Sequence, residues 1–279
     1  MESMCLRPKT RSRFRFVVGT LYFCIKRYRQ WFFSRSVFAR NFDTNPGNYP
    51  CTIFHHRTPL YRRLRNTDMW LQQNKVINLR LAVAKLNCLV LRPGETFSFW
   101  RLLGKPTKRK GYVEGMVLYE GRVVPGIGGG LCQLSNLIYW MTLHTPLTVV
   151  ERWRHNYDVF PDVDRTQPFG SGATVVFNYI DLQIRNDTEQ TFYLRLWLTD
   201  THLCGEWRSD RPISYTYQVY EKEHLITHEP WGYMRHNRIH RRILDSRQTI
   251  IADEMVAENH AIMMYPPMLN TAKNESSRI

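Results

Sequence analysis

The sequence predicts an α+β protein with one long helix, a second helix opening directly after a glycine run, and a mostly antiparallel sheet. Three observations carry this expectation. Trp70, Ile77, Leu81 and Ala84 share one face at helical spacing inside 66–87. Leu134, Leu137, Ile138 and Met141 set out an apolar helix face directly after Gly128-Gly129-Gly130. From 174 to 265 the chain runs instead in short apolar and β-branched segments divided by turn residues, the pattern of successive strands.

The chain has 279 residues, of which 43% are hydrophobic and 13% aromatic, enough for a sizeable core. Residues 1–40 hold ten Lys or Arg against one acid, Glu2, and so carry +9 of the net +15. Phe14, Phe23, Trp31 and Phe32 are interleaved with those cations. Two readings stand side by side: an amphipathic helix on an anionic membrane surface, or an arm packed on the protein's own body. No recognised nucleic-acid-binding module accompanies the charge, so nucleic acid is not an expected partner. The organisation that follows is a basic aromatic arm over 1–48, the main domain over 49–270 and a polar tail over 271–279.

Within 41–62, Asn45-Pro46-Gly47-Asn48 and Thr58-Pro59 predict a turn-rich connection. Asn66 or Asp68 is placed to cap the long helix. A short strand follows at 89–91, then a turn at Pro93-Gly94 and a strand over 96–100. Residues 103–111 form a basic loop with Lys105, Lys108, Arg109 and Lys110. Residues 116–119 and 122–124 flank Glu120-Gly121 as a hairpin whose second strand feeds the glycine run.

At that junction Cys132 sits in the first turn of a helix, where unpaired backbone N–H groups and the macrodipole favour thiolate. The bland reading, a small packed hydrophobe beside glycines that permit close packing, stands next to it. A strand at 147–150, returning antiparallel to the helix, would bring Arg152, His155 and Asp158 toward the helix start. Cys132 as nucleophile, His155 as base and Asp158 or Gln133 as a polar third member is then a candidate catalytic set, with the glycine-run amides as oxyanion donors. Gly128, Gly129, Gly130, Ser135, Arg152 and His260 are the candidate substrate-binding residues. The glycine run lacks the Gly-Lys-Ser/Thr of a phosphate loop, so no nucleotide cofactor is expected.

Downstream, 157–174 reads as a long loop with acids at Asp158, Asp162 and Asp164, taken as solvated turn chemistry and not as a cation site. Strands are expected at 174–178, 182–184, 191–198, 203–207, 215–220, 223–228, 235–243, 250–256 and 261–265. A loop of Trp231 to Tyr233 would oppose His228 to His236 and His224 to His240, two separate pairs and no metal centre. The six cysteines, at 5, 24, 51, 88, 132 and 204, have no paired spacing and follow no secretory signal. A reducing, cytoplasmic setting is expected, with a peripheral position at the inner membrane surface as the alternative.

Gly128-Gly129-Gly130-Leu131-Cys132-Gln133-Leu134-Ser135, with Arg122-Val123-Val124-Pro125-Gly126 before it and Val150-Glu151-Arg152 and His155 after it, resembles the core motif of the VanW family. Pro93-Gly94-Glu95-Thr96-Phe97-Ser98, Phe169-Gly170-Ser171-Gly172-Ala173-Thr174 and Glu258-Asn259-His260-Ala261 extend the resemblance over most of the chain. It implies an accessory role in vancomycin resistance and cell-wall metabolism, with a cell-wall peptide or precursor as partner, and no established reaction. Both a cysteine-dependent hydrolase or acyl transferase and a non-catalytic binding or scaffold protein fit it. The chain departs from the motif at two positions: Asn136 follows Ser135 where the family usually has Thr, and Gly172 stands where many members have Asp.

Overall fold

The apolar residues after Gly130 fold into the helix their spacing predicts, with Leu134, Leu137, Ile138 and Met141 wholly buried. The computed structural model describes residues 12–61, 68–119, 121–159, 167–265 and 267. Asn66, Glu120, Asp162, Asp164, the first eleven residues and the polar tail from 271 lie outside them.

In chain order the elements are α1 (Arg13–Phe33), β1 (Val37–Phe38), β2 (Asn41–Phe42), β3 (Cys51–Pro59), α2 (Met69–Leu86), β4 (Leu89–Leu91), β5 (Glu95–Ser98) and α3 (Phe99–Leu103). Then come the hairpin β6 (Glu114–Tyr119) and β7 (Arg122–Ile127), α4 (Cys132–Leu143), β8 (Thr148–Glu151), β9 (Tyr157–Asp158), β10 (Gln183–Arg185), β11 (Phe192–Leu198) and β12 (His202–Ser209). Three long strands close the chain: β13 (Thr216–Glu229), β14 (Gly232–Leu244) and β15 (Ile250–Met263). The fold is α+β, and its strands pair mainly antiparallel.

The strands form three sheets besides the β6–β7 hairpin, in the orders β1-β5-β10-β8, β2-β4-β11-β12-β3 and β13-β14-β15-β9. Helices α2 and α4 fill the core against the second sheet. Trp207 of β12 is wholly buried and donates its indole N–H to Thr142 Oγ1 of α4 at 3.1 Å. Leu79, Ala82 and Leu86 of α2 join the same apolar cluster. Helix α1 is fastened to the body at its C-terminal half. Arg27 pairs with Glu151 at 2.5 Å, Arg101 donates to Trp31 O at 2.7 Å, and Phe23 meets Tyr179 edge-on at 4.8 Å. Among the described residues no helix is long and apolar enough to cross a membrane.

Four expectations are corrected. The connection at 41–62 contains β2 and all of β3, which pairs along β12 from His202↔Pro59 to Ser209↔Cys51. Phe99 and Trp100 leave the strand and start α3, because Ser98 Oγ caps the backbone N–H of Arg101. Residues 174–178 form no strand, only an isolated bridge from Val176 to Ile180. The β13–β14 loop is Pro230-Trp231, so His228 opposes Tyr233 and His224 opposes Asn237. His236 instead shares a 2.7 Å hydrogen bond with His260 on β15.

Candidate functional site

The glycine run is built against α2. Asn78, fully buried on that helix, donates from Nδ2 to Gly129 O at 2.9 Å and to Val113 O at 3.0 Å, and its Oδ1 accepts from Val113 N at 2.9 Å. One amide side chain thus fastens both the turn into β6 and the turn out of β7. Gly129 must be glycine because a Cβ there would overlap the backbone of Gly115, and Gly130 holds φ +93° with a Cβ position filled by Lys75. Asn78 was not legible as a site residue: a mid-helix Asn has no sequence signal pointing to backbone carbonyls 35 and 51 residues away.

Cys132 opens α4, and its Sγ–H points to Val175 O at 3.7 Å. The residue packs against the main apolar cluster. Burial pushes the thiol's pKa up, so desolvation outweighs the helix N-terminus, which favours the thiolate. His155 makes no hydrogen bond to Cys132, and burial, aided by the charge of Arg154, pushes its imidazole down and keeps it neutral. Gln133 turns the other way and donates from Nε2 to Thr58 Oγ1 and to Pro59 O, both at 2.9 Å, fixing the end of β3. Asp158 accepts from Arg235 at 3.0 Å and from the Tyr265 hydroxyl at 2.7 Å, with both charges of the pair about 5% exposed. Cys132, Gln133 and Asp158 therefore turn to three different parts of the fold: Val175 O, the end of β3 and the Arg235–Tyr265 pair.

Two of the six predicted binding residues, Ser135 and Arg152, meet on one segment, 168–175, which crosses the start of α4 as a strap. Ser135 Oγ donates to Ala173 O at 2.6 Å and to Cys132 O at 3.1 Å, while Asn136 Oδ1 accepts from Ala173 N at 2.7 Å. Arg152 donates to Gly172 O at 2.9 Å, to Gly170 O and to Asn259 Oδ1, and its guanidinium lies over the Tyr139 ring at 5.1 Å. Asn259 in turn donates to Asn237 Oδ1 at 2.9 Å, and Asn237 donates to Phe169 O at 2.5 Å. His260, the next residue on β15, is exposed on the opposite side of the strand and stays out of this network.

The two departures from the motif meet here. A Cβ at Gly172 would lie 2.7 Å from Asn136 Oδ1 and 3.0 Å from its Cγ. Asn136 occupies the space a side chain at 172 would need, and it uses that position to hold Ala173 N. Two departures 36 positions apart in sequence are one local packing arrangement.

Beside the glycine run, between the first turn of α2 and the β6–β7 hairpin, lies an open cavity of about 520 Å³ lined by Trp70, Asn74, Lys108, Tyr112, Glu114 and Ile127. Tyr112 is 2% exposed, and its hydroxyl has no hydrogen-bond partner among the described residues. Burial raises its pKa, so it stays a neutral donor. Among the described residues no group of three or more His, Cys, Asp or Glu could hold a metal ion.

Comparison with known proteins matches residues 74–208 to the family model described as VanW like protein. The chain is 34% identical over 218 residues to the vancomycin B-type resistance protein VanW of Enterococcus faecalis (strain ATCC 700802 / V583), covering 78% of this chain and 79% of that protein. It is 32% identical over 118 residues to the uncharacterized protein YoaR of Bacillus subtilis (strain 168), covering 42% of this chain and 37% of that one. No solved structure matches at a significant level. The family-model match runs from α2 through the glycine run, α4 and the strap to β12, and the longer alignment extends well beyond it, so the chain belongs to the VanW family.

Proposed function

We propose that this chain is an accessory factor in vancomycin B-type resistance that acts by binding a cell-wall peptide or precursor. The cavity between α2 and the β6–β7 hairpin is the binding place in this reading. The observation that carries it is Tyr112, which lines that cavity and whose buried hydroxyl has no partner among the described residues. Such a donor or acceptor costs about 1–3 kcal/mol until something completes it. Trp70 offers an apolar face for a peptide or sugar, and Lys108, 3.9 Å from Glu114 in the same lining, is a cation that a ligand carboxylate would have to take from that acid. The accessory role in resistance is inferred from the Enterococcus faecalis relative.

A second reading keeps Cys132 as nucleophile with His155 as base. What favours it is the neutral state of His155, the form in which an imidazole accepts a proton. One set of variants separates the two. Titration calorimetry with a cell-wall stem peptide should give binding that Tyr112→Phe weakens roughly fivefold to tenfold, while Cys132→Ala leaves both the affinity and the resistance phenotype intact. Peptide affinity unchanged by Tyr112→Phe would remove the cavity from consideration. Loss of phenotype in Cys132→Ala, together with alkylation of Cys132 by iodoacetamide at neutral pH, would establish the cysteine reading instead.

A further inference from the structure

One side of α1 is bare. Phe14, Val18, Leu21, Ile25, Tyr28 and Phe32, alternately four and three residues apart, are all exposed, from 44% at Tyr28 to 77% at Phe14. That spacing draws them into a single stripe along the helix. The opposite side is the one held by the body through Phe23, Arg27 and Trp31, so the stripe faces away from the core.

At its C-terminal end the stripe runs into a second open cavity, of about 500 Å³. Tyr28 and Phe32 line it together with Trp31, Arg101, Lys105 and Lys110. No carboxylate lines this cavity. Arg101 and Lys110 donate to backbone oxygens, Trp31 O at 2.7 Å and Lys105 O at 2.9 Å. Trp31 is 7% exposed, and its indole N–H, a donor only, has no acceptor among the described residues. Apart from Trp100, whose indole N–H is already donated to Ile180 O at 2.9 Å, and Tyr28, whose hydroxyl both donates and accepts, the polar side chains around the cavity offer a proton or a positive charge. The ligand chemistry this matches is an acceptor-rich anion of phosphate type.

We propose that α1 lies in the surface of an anionic phospholipid bilayer, with Phe14, Val18, Leu21 and Ile25 sunk to the acyl boundary and a lipid phosphate seated in the cavity against Trp31, Arg101, Lys105 and Lys110. The charge of α1 selects this occupant over a second copy of the chain. Arg15, Lys26 and Arg29 are exposed on the helix, and no acid occurs within it. Two copies packed stripe to stripe would oppose cation to cation, whereas an anionic surface neutralises them. Neither the peptide cavity beside the glycine run nor the role of Cys132 enters this inference.

The test is flotation of the full chain with vesicles of phosphatidylcholine alone and of phosphatidylcholine with phosphatidylglycerol, with tryptophan emission followed in parallel. Binding to the anionic vesicles only is expected, weakening as salt is added. Leu21→Glu combined with Ile25→Glu, at exposed positions and with an unchanged circular dichroism spectrum, should abolish it. Lys105→Gln and Lys110→Gln should each cost about fivefold in vesicle affinity. Equal binding to neutral vesicles, binding to neither, or full binding by the glutamate pair overturns the proposal. So does a dimer in sedimentation velocity that the glutamate pair dissolves. Displacement of the vesicles by soluble glycerol phosphate at comparable concentration would assign the cavity to free phosphate and overturn it as well.

Discussion

Gly172 and Asn136 show how a departure from a motif is absorbed within a few ångströms. Asn136 reaches Ala173 N only because position 172 carries no Cβ. Gly172→Ala should therefore destabilise the chain by about 1–3 kcal/mol, since the new methyl displaces a buried acceptor from its donor. Combining it with Asn136→Thr should recover part of that loss. Denaturant unfolding of the two single variants and the double variant measures the coupling, and strictly additive losses would show that the two positions are independent. At this scale the sequence made the motif residues visible and hid their jobs. Ser135, Arg152 and Asn259 stand out as polar residues in a motif, yet nothing in their order says that Ser135 and Arg152 donate to carbonyls of the protein's own strap or that Asn259 accepts from Arg152.

Elements were legible where a single period runs unbroken. Helix α4 follows from its apolar spacing, and β11 and β12 from dense apolar residues between turns; α2 forms where a helix was expected, but it buries Val76, Leu79, Val83 and Leu86, while Trp70, Ile77 and Ala84 of the expected face are exposed. β3 was missed because its burial alternates between half-buried and exposed without a wholly buried position, and its hydrogen bonds come from β12, about 150 residues away. β13 reads as two strands because a bulge between Glu221 and Glu223 breaks its alternation, and β15 is broken in the same way where its register against β14 shifts next to Ala257. The strap has no period at all and is defined by what grips it. Arg152→Ala should release it: amide exchange at Gly170 to Thr174 should speed up by at least about tenfold, while the exchange of α2 stays as it was. Exchange unchanged at the strap would mean that Ser135 and Asn136 suffice to hold it.

At the scale of the whole molecule, two buried titrations act in opposition. Asp181 lies where α1, β5, α3 and β8 converge. It accepts from Ser98 Oγ at 2.6 Å and from Trp100 N at 3.0 Å, near the Arg27–Glu151 pair. Burial pushes its carboxyl up to about 6 from 3.8. A folded pKa above the unfolded one means that its stabilising contribution is complete below the unfolded value and is lost as pH rises through about 6. His144 on the far side of the core, stacked on Phe54 at 3.8 Å, is pushed by burial down to about 4 from 6.5. Its contribution is present above the unfolded value and is lost as pH falls toward 4. Each shift corresponds to at most about 3 kcal/mol, so the two slopes largely cancel through the acidic range. Asp181→Asn should unmask the histidine and make unfolding free energy drop more steeply on acidification than in the parent protein. An Asp181→Asn profile no steeper than the parent's would exclude this compensation.

The hold of Arg152 on the strap has a consequence for how this region tolerates change. Its donors end on two peptide oxygens and one carboxamide, none of them a group that a strap residue's own side chain supplies. The two residues whose carbonyls it holds are fixed by space instead, since a Cβ at Gly170 would run into Asn259 and one at Gly172 into Asn136. The arginine itself has no stand-in, because a lysine cannot spread parallel donors across three acceptors.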